Sequence, residues 1–318
     1  MEVTPLAADS MGVRSLAMGI EAAGETVLVD PGASLGPRRD GKRPHPEEYR
    51  TLKERSESIQ AWGDRADVIL VTHYHFDHYV PSFENWRYNW SSEDRSRRLF
   101  EDVTVLAKHT TESINYSQRK RGYYFDRVCE DVSDDQRYVD GATVEWGDLV
   151  LDFSEPVPHG PAETDLGDVL MVAIEGLDET VVYTSDVQGP VVDASREWIL
   201  ERDPDLVIVD GPPTYLSEET FAPPARRSAR TNMAALAREA DLIVDHHLLR
   251  DGAYEAYLEP VFEAAREHGR QLQTAAAFRG ESNRLLEARR AELHEESPVE
   301  DEFYDRVADG EFVDEPIP

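Results

Sequence analysis

The stretch VILVTHYHFDH, residues 68–78, narrows the fold and the chemistry of this chain more than any other. Val68 to Val71 form an unbroken apolar run rich in β-branched residues, which reads as a short strand ending at Thr72. Just past that end His73 and His75, two positions apart, can project to the same side. Asp77 and His78 open the next turn and can face a second point a few ångström away. Imidazole nitrogens and a carboxylate at this spacing suit zinc or a similar borderline cation. A histidine-rich surface loop is the plainer alternative, and the position of the cluster directly behind VILVT argues against it.

The same kind of short apolar run recurs along the chain. Strands are expected at 2–6, 16–21, 26–29, 68–72, 103–107, 142–146, 149–154, 169–175, 180–184, 206–209 and 242–245. Helices are expected at 46–62, 110–118, 195–201, 231–239, 254–267 and 283–295. Strands alternating with helices predict an α/β fold, two sheets face to face with helices outside, a four-layer αββα sandwich. One domain over 1–295 is expected. Residues 79–141 read as an insertion after the histidine motif, a candidate lid, because they are rich in aromatics and charge and poor in clear strands. From 296 to 318 the chain is acidic with Arg306 its one basic residue, and reads as a solvated, partly disordered tail.

Composition limits the alternatives. No run approaches the roughly 18 apolar residues of a membrane span and no leader pattern opens the sequence, so a soluble, cytoplasmic protein is expected. The lone cysteine, Cys129, excludes an internal disulfide or a cysteine-rich metal site; it reads as a small part-buried residue. A metal must therefore use His and carboxylate. Asp and Glu number 65 against 33 Lys and Arg, a net charge of −32, and only Lys42, Lys53, Lys108 and Lys120 are lysines. Excess surface carboxylate with scarce lysine keeps a protein hydrated in concentrated salt, where screening removes the self-repulsion. In this the composition resembles haloarchaeal cytoplasmic proteins, which concerns the solvent and not the reaction.

THYHFDH resembles the signature of the metallo-β-lactamase superfamily, and the other stretches that pattern implies occur in order. They are Asp30 in TVLVDPG, His159 in PVPHG, Asp186 in VVYTSDVQG, and His246 or His247 in LIVDHHLLR. The resemblance covers roughly 1–250. It implies one ion on His73, His75 and His159, and a second on Asp77, His78 and His246, with Asp186 bridging. His246 is preferred to His247 as the last ligand because it lies one residue past the strand. Asp30 and His247 would support ligands rather than bind metal. DSMGVRS, DPGASLGPRR, KRPHPEE, NYSQRKRGYYF and VDGPPTYL narrow the resemblance to an uncharacterised archaeal branch of such hydrolases. The ions expected are two divalent cations, zinc first, with manganese or iron as alternatives.

That resemblance implies a hydrolase in which the ions lower the pKa of a shared water and stabilise a developing oxyanion, with Asp77 relaying the proton. The substrate must be read from cations outside the metal core: Arg14, Arg38, Arg39, Arg119, Lys120, Arg121 and Arg250. QRKRGYY is the densest positive charge, with Tyr123 and Tyr124 beside it to stack on a ring. A structural reading competes: a helix ending before Gly122, with cations at its C-terminal dipole. A small or medium anionic substrate, a phosphodiester or a lactone or ester, is expected. A nuclease of the same superfamily is the first alternative, opposed by the net charge. A non-catalytic interaction protein on the same fold is the second.

Overall fold

Short strands that are apolar on both faces must be covered from two sides, and the fold meets this with four layers. The computed structural model describes residues 1–176 and 178–318. The first sheet takes its strands in chain order: β1 (Glu2–Ala8), β2 (Leu16–Ala22), β3 (Glu25–Val29), β4 (Val68–Val71), β5 (Thr104–Ala107) and β6 (Asp135–Tyr138). β1 to β3 are antiparallel, and β3 to β6 are parallel. β7 (Thr143–Trp146) and β8 (Leu149–Phe153) begin the second sheet. A small ribbon of β9 (Val157–Pro158) and β10 (Asp168–Val169) follows them. The second sheet continues with β11 (Val172–Glu175), β12 (Thr180–Tyr183), β13 (Leu206–Val209), β14 (Asp241–Val244) and β15 (Leu272–Gln273). Its order is β15-β14-β13-β12-β11-β8-β7, with β12 to β15 parallel.

Alternation along each strand assigns side chains to layers. Val68 and Leu70 of β4 meet Tyr183 of β12, Ile208 of β13 and Ile243 of β14 in the core between the sheets. Ile69 and Val71 turn the other way, towards helices α1 (Pro46–Gly63), α2 (Glu93–Phe100) and α3 (Tyr116–Val132). Val182, Val207 and Val244 turn towards α4 (Asp193–Leu200), α5 (Pro223–Glu239) and α6 (Tyr254–Glu267). The expected αββα order is therefore present.

Several expectations need correction. Residues 79–141 are not inserted into the sheet's connections: they supply β5 and β6, so the first sheet is built through them. β6 escaped notice because it reads DQRY; an edge strand tolerates polar residues on its open side. The acidic tail is folded. After the short α7 (Ala275–Phe278) and α8 (Arg290–Glu296), helix α9 (Asp301–Ala308) packs Phe303, Tyr304 and Val307 into the core beneath α1, and Phe312 and Ile317 follow. Lys53 of α1 donates to the carbonyls of Phe312 and Val313, both at 2.8 Å. Residues 303 and 307 lie one helical turn apart, so the acids face solvent while a narrow apolar stripe is buried.

The helix expected at 110–118 starts instead at Tyr116, where the Asn115 side chain accepts from the Gln118 amide at 2.8 Å. It then runs through Gly122, which faces Thr110 so closely that an added Cβ would lie 2.9 Å from the threonine Cβ. The helix expected from 283 is confined to α8, whose buried Arg290 forms a bidentate pair with Glu48 of α1. Among the described residues no helix is long and apolar enough to cross a membrane.

Candidate metal centre

The carboxyl ends of the parallel strands of both sheets meet at one seam, and the chemistry-bearing residues follow those ends. Asp30 follows β3, and Thr72 to His78 follow β4. His159 follows β9, Asp186 follows β12, Asp210 follows β13, and Asp245 to His247 follow β14. Open α/β sheets bind ligands at this end of their strands. The turn that sets the motif is close-packed: a Cβ on Gly32 would lie 2.3 Å from the Tyr79 amide and 2.6 Å from the His78 amide, so only glycine lets DPG pass beneath the motif.

Asp186 is the hub. Its Oδ2 lies 3.0 Å from His159 Nε2 and 3.5 Å from His73 Nε2. Its Oδ1 lies 3.2 Å from His78 Nε2 and 3.6 Å from His246 Nε2. One carboxylate thus turns one oxygen to each of two histidine sets. His73, His75, His159 and Asp186 offer ligand atoms all within 4.8 Å of one another, and so do Asp77, His78 and His246. Short as these contacts are, among the described residues the buried Nε2 atoms of His73, His78 and His159 and the Oδ1 of Asp186 make no hydrogen bond of acceptable geometry. Buried polar atoms are normally satisfied. Four such orphans converging on one space fit a cation that each could ligate, so this donor set suits a borderline divalent ion.

Neighbouring groups fix the histidine rings. Asp30, fully buried, accepts from His78 Nδ1 at 2.8 Å, Tyr183 OH at 2.8 Å, Thr72 Oγ1 at 2.6 Å and the Thr72 amide at 2.8 Å. It groups spatially with His73 and His78, yet its oxygens are already engaged by these donors. His246 Nδ1 lies 2.9 Å from Asp9 Oδ2, and His247 Nδ1 lies 2.9 Å from Asp210 Oδ2. Holding the Nδ1 proton on a carboxylate turns Nε2 towards the centre; the Nε2 of His246 is also met there by Arg250 Nη2, at 3.2 Å. Asp210 also accepts from the Gln188 and Gly189 amides at 2.9 and 3.2 Å.

The electrostatics divide the two sets. Burial, reinforced by neighbouring imidazoles, lowers His73 to about 4 and His75 well below its ordinary value. Burial also opposes charge on His78 and His246, but the carboxylates win. Asp186 and Asp30 raise His78 well above the usual range, and Asp186 and Asp9 raise His246 to about 9 against burial and Arg250. Asp77 and Asp186 are held well below the usual carboxylate range by His78 and His246 despite their burial.

The structure brings together Asp30, His73, His75, Asp77, His78, His159, Asp186, His246 and His247. His246 and His247 separate by position: His246 Nε2 is 3.7 Å from Asp77 Oδ2, whereas His247 Nε2 is 3.8 Å from Asp186 Oδ2, on the other side. The cations fare differently. Arg250, expected to meet substrate, is buried and committed, with Nε 3.1 Å from Asp9 and Nη2 3.4 Å from Asp77. Arg14 is held bidentately by Glu287. Arg39 donates to the Arg250 carbonyl at 3.1 Å and stacks on Tyr215. Arg38 is exposed and donates to Gly41 O within its own turn. Arg119 is exposed and donates to Thr111 O, while Lys120 and Arg121 line a groove beside the motif. Sequence reading missed Asp9 and Asp210. For Asp210 a signal existed: VIVDG repeats the apolar-run-then-Asp pattern of TVLVDPG.

The Metallo-beta-lactamase superfamily model matches residues 12–80. A UPF0282 protein of Methanopyrus kandleri is 44% identical over 294 residues, covering 92% of this chain and 99% of that relative. A UPF0282 protein of Thermococcus kodakarensis is 38% identical over 294 residues, covering 92% and 95%. These archaeal relatives do not single out the haloarchaea. Among solved structures, the isothiocyanate hydrolase from Delia radicum gut bacteria matches with a TM-score of 0.51 at 16% identity, over 83% of this chain and 94% of that one. The metallo-beta-lactamase fold protein YhfI from Bacillus subtilis matches with a TM-score of 0.51 at 12% identity, over 89% and 96%. At such identities these likenesses speak for the fold alone.

Proposed function

This chain belongs to the UPF0282 family and has the metallo-β-lactamase fold, and from that premise we propose that it is a hydrolase working with two divalent ions. Zinc is the first choice and manganese or iron the alternatives. The observation that carries the reading is Asp186, with one oxygen facing His73 and His159, the other facing His78 and His246, and partnerless buried nitrogens on three of those rings. His73, His75 and His159 would hold one ion. Asp77, His78 and His246 would hold the other, and Asp186 both.

Ions in such a site supply Lewis acidity and bring water towards ionisation near neutral pH. The chain's own residues do the rest. Asp30, Asp9 and Asp210 keep the Nδ1 protons of His78, His246 and His247 in place, so that each Nε2 points inward. His75 and Asp77 are the part-exposed members of the motif, so substrate enters on their side. Asp77 is there to accept or relay a proton. The substrate is a small or medium anion, a phosphodiester or a lactone or ester, and Lys120 and Arg121, which have no carboxylate partner among the described residues, support that choice. The acidic surface and single thiol suit a salty cytoplasm.

The test is metal analysis with turnover. Purified protein should carry about two equivalents of zinc or a similar ion. It should hydrolyse bis-p-nitrophenyl phosphate or a lactone in molar salt, and Asp186→Ala should abolish that turnover. No metal after careful loading, or turnover surviving in Asp186→Ala, would overturn the proposal.

A further inference from the structure

Beside the candidate centre, a groove of about 650 Å³ is lined by Phe76, Phe83, Tyr116, Lys120, Arg121 and Tyr124, among others. We propose that this groove binds the aryl or fused-ring body of an anionic substrate whose reacting group reaches the metal centre. The inference rests on the hydrolase reading above and names the substrate class for that site.

The first argument is continuity. Phe76 sits between His75 and Asp77, so one wall of the groove is a single residue away from two candidate ligands, both on the open side of the centre. The groove wall and these two candidate ligands therefore belong to one loop. The second is rigidity. Helix α3 forms the opposite wall and is tied to the same loop. Gln118 Oε1 accepts from the Tyr74 amide at 3.1 Å, Arg121 Nη1 donates to Tyr74 O at 3.3 Å, and Tyr79 OH donates to Arg121 O at 3.3 Å. A site preformed in this way, with a volume of several hundred cubic ångström, has the dimensions of a small-molecule site.

The third argument is surface chemistry. Phe83 is 43% exposed, Tyr124 48% and Tyr116 85%, and all three converge on this groove. Scattered exposed aromatics need no explanation, but a cluster around one concavity marks a binding site. Rings of this kind stack on planar groups. The fourth is charge. The Arg121 guanidinium lies over the Phe76 ring, 4.5 Å from its centroid, and among the described residues neither it nor Lys120 has a carboxylate partner within ion-pair distance. In a chain of net charge −32 these cations are not short of acids to pair with. Nor do they serve the helix. α3 begins at Tyr116, so residues 119–121 lie near its N-terminal end, where the helix dipole disfavours positive charge. The reading of QRKR as a C-terminal cation cluster is thereby removed. A phosphate, carboxylate or sulfonate is the kind of group that pairs with such cations.

The probe is 1-anilinonaphthalene-8-sulfonate, an aryl anion, titrated by fluorescence into metal-free and zinc-loaded protein at one fixed salt concentration. The neutral N-phenyl-1-naphthylamine serves as its comparison. Phe83→Ala combined with Tyr124→Ala should weaken both probes at least about fivefold, the low end of one stacking contact. Lys120→Glu should weaken the sulfonate by a similar factor and leave the neutral probe unchanged. Zinc content should be unaffected in either variant. Wild-type affinity in these variants would overturn the proposal. So would a fall in mass from dimer to monomer by sedimentation without loss of probe binding, which would make the patch a contact between copies. Probe binding requires no turnover, so failure of the groove and failure of the hydrolase reading are separate results.

Discussion

Asp30→Asn probes whether the centre is assembled by its supporting residues. The substitution keeps shape and removes charge. Asp30 now accepts from the Thr72 amide, Thr72 Oγ1, His78 Nδ1 and Tyr183 OH, at 2.6 to 2.8 Å. An asparagine amide must present NH₂ to one side of that set. Turned towards the Thr72 amide, it faces a donor that cannot reverse. Turned towards the other three, it asks His78 Nδ1 to accept, which moves the ring proton to Nε2 and points it at Asp186. A hydrogen bond to a charged group contributes about 1.5–3 kcal/mol and a neutral one about 0.5–1.5. Weakened bonds plus one donor–donor conflict, offset by no longer burying a charge, give a loss of about 2–4 kcal/mol. Loss of such a ring-orienting partner costs about 10- to 100-fold in metal affinity. Urea unfolding of metal-free protein reads the first quantity, and chelator competition at the His78 side of the centre reads the second. A variant within about 0.5 kcal/mol of wild type and unchanged in metal affinity would mean that Asp30 does not orient His78.

Metal uptake should depend on pH in two parts. His73 and His75 have lowered values and are neutral at pH 7, so the ion they bind should take up with little proton release. His78 and His246 are raised, His246 to about 9, so the second ion must displace their protons, and its affinity should climb until pH passes about 9. By the same sign, the stability that protonated His246 lends the metal-free protein is present below its unfolded value and lost as pH rises through about 9. Calorimetry in buffers of different ionisation enthalpy measures the proton count, and equal release by both ions would contradict it. Phe312→Ala should cost about 3 kcal/mol in urea unfolding, since Phe312 is 1% exposed; no change would restore the solvated tail. Arg250→Met should destabilise the metal-free protein by about 3 kcal/mol by removing one cationic partner each from buried Asp9 and from Asp77, which leaves both to His246. It should also tighten the second ion, because a positive charge 3.2 Å from His246 Nε2 is removed; weaker binding of that ion would count against this account.

Local pattern made much of this legible. Apolar runs closed by His or Asp located β3, β4, β12 and β14 and the residues at their ends, because a strand end fixes where the next side chain points. What escaped was set by tertiary context. DQRY carries no apolar alternation, and only its neighbour β5 makes it a strand. Gly122 looks like a helix stop until Thr110 is seen to occupy the space of its missing side chain. Acidity hid the stripe of Phe303 and Val307 in the tail. Asp9 could not be placed because it lies more than two hundred residues from its partner, |i−j| being 237 to His246. His246 and His247 are neighbours in sequence, and a backbone turn separates them.

That turn is one of three of a kind, and together they explain why the centre lies on the seam. Asp30, Ser185 and His246 have φ of 45°, 55° and 53°, each at or just past the end of a site-forming strand. A left-handed conformation costs an L-residue about 1–2 kcal/mol, and it persists only where the surroundings over-determine it. Here the surroundings are the opposite sheet. Ser185 Oγ, from the second sheet, lies 2.6 Å from Thr72 Oγ1 of the first, and Tyr183 donates across the seam to Asp30. Asp9 of the first half holds His246 of the second. Each turn is thus held by a partner from the other half, so neither half carries a finished site. Ions held by Asp186 together with His73 and His78 would join the halves a further time, and their binding energy would then be folding energy for the seam. The strain and the chemistry occupy the same residues because a strand that must deliver its last side chain into the gap between two sheets has to break its extended course there.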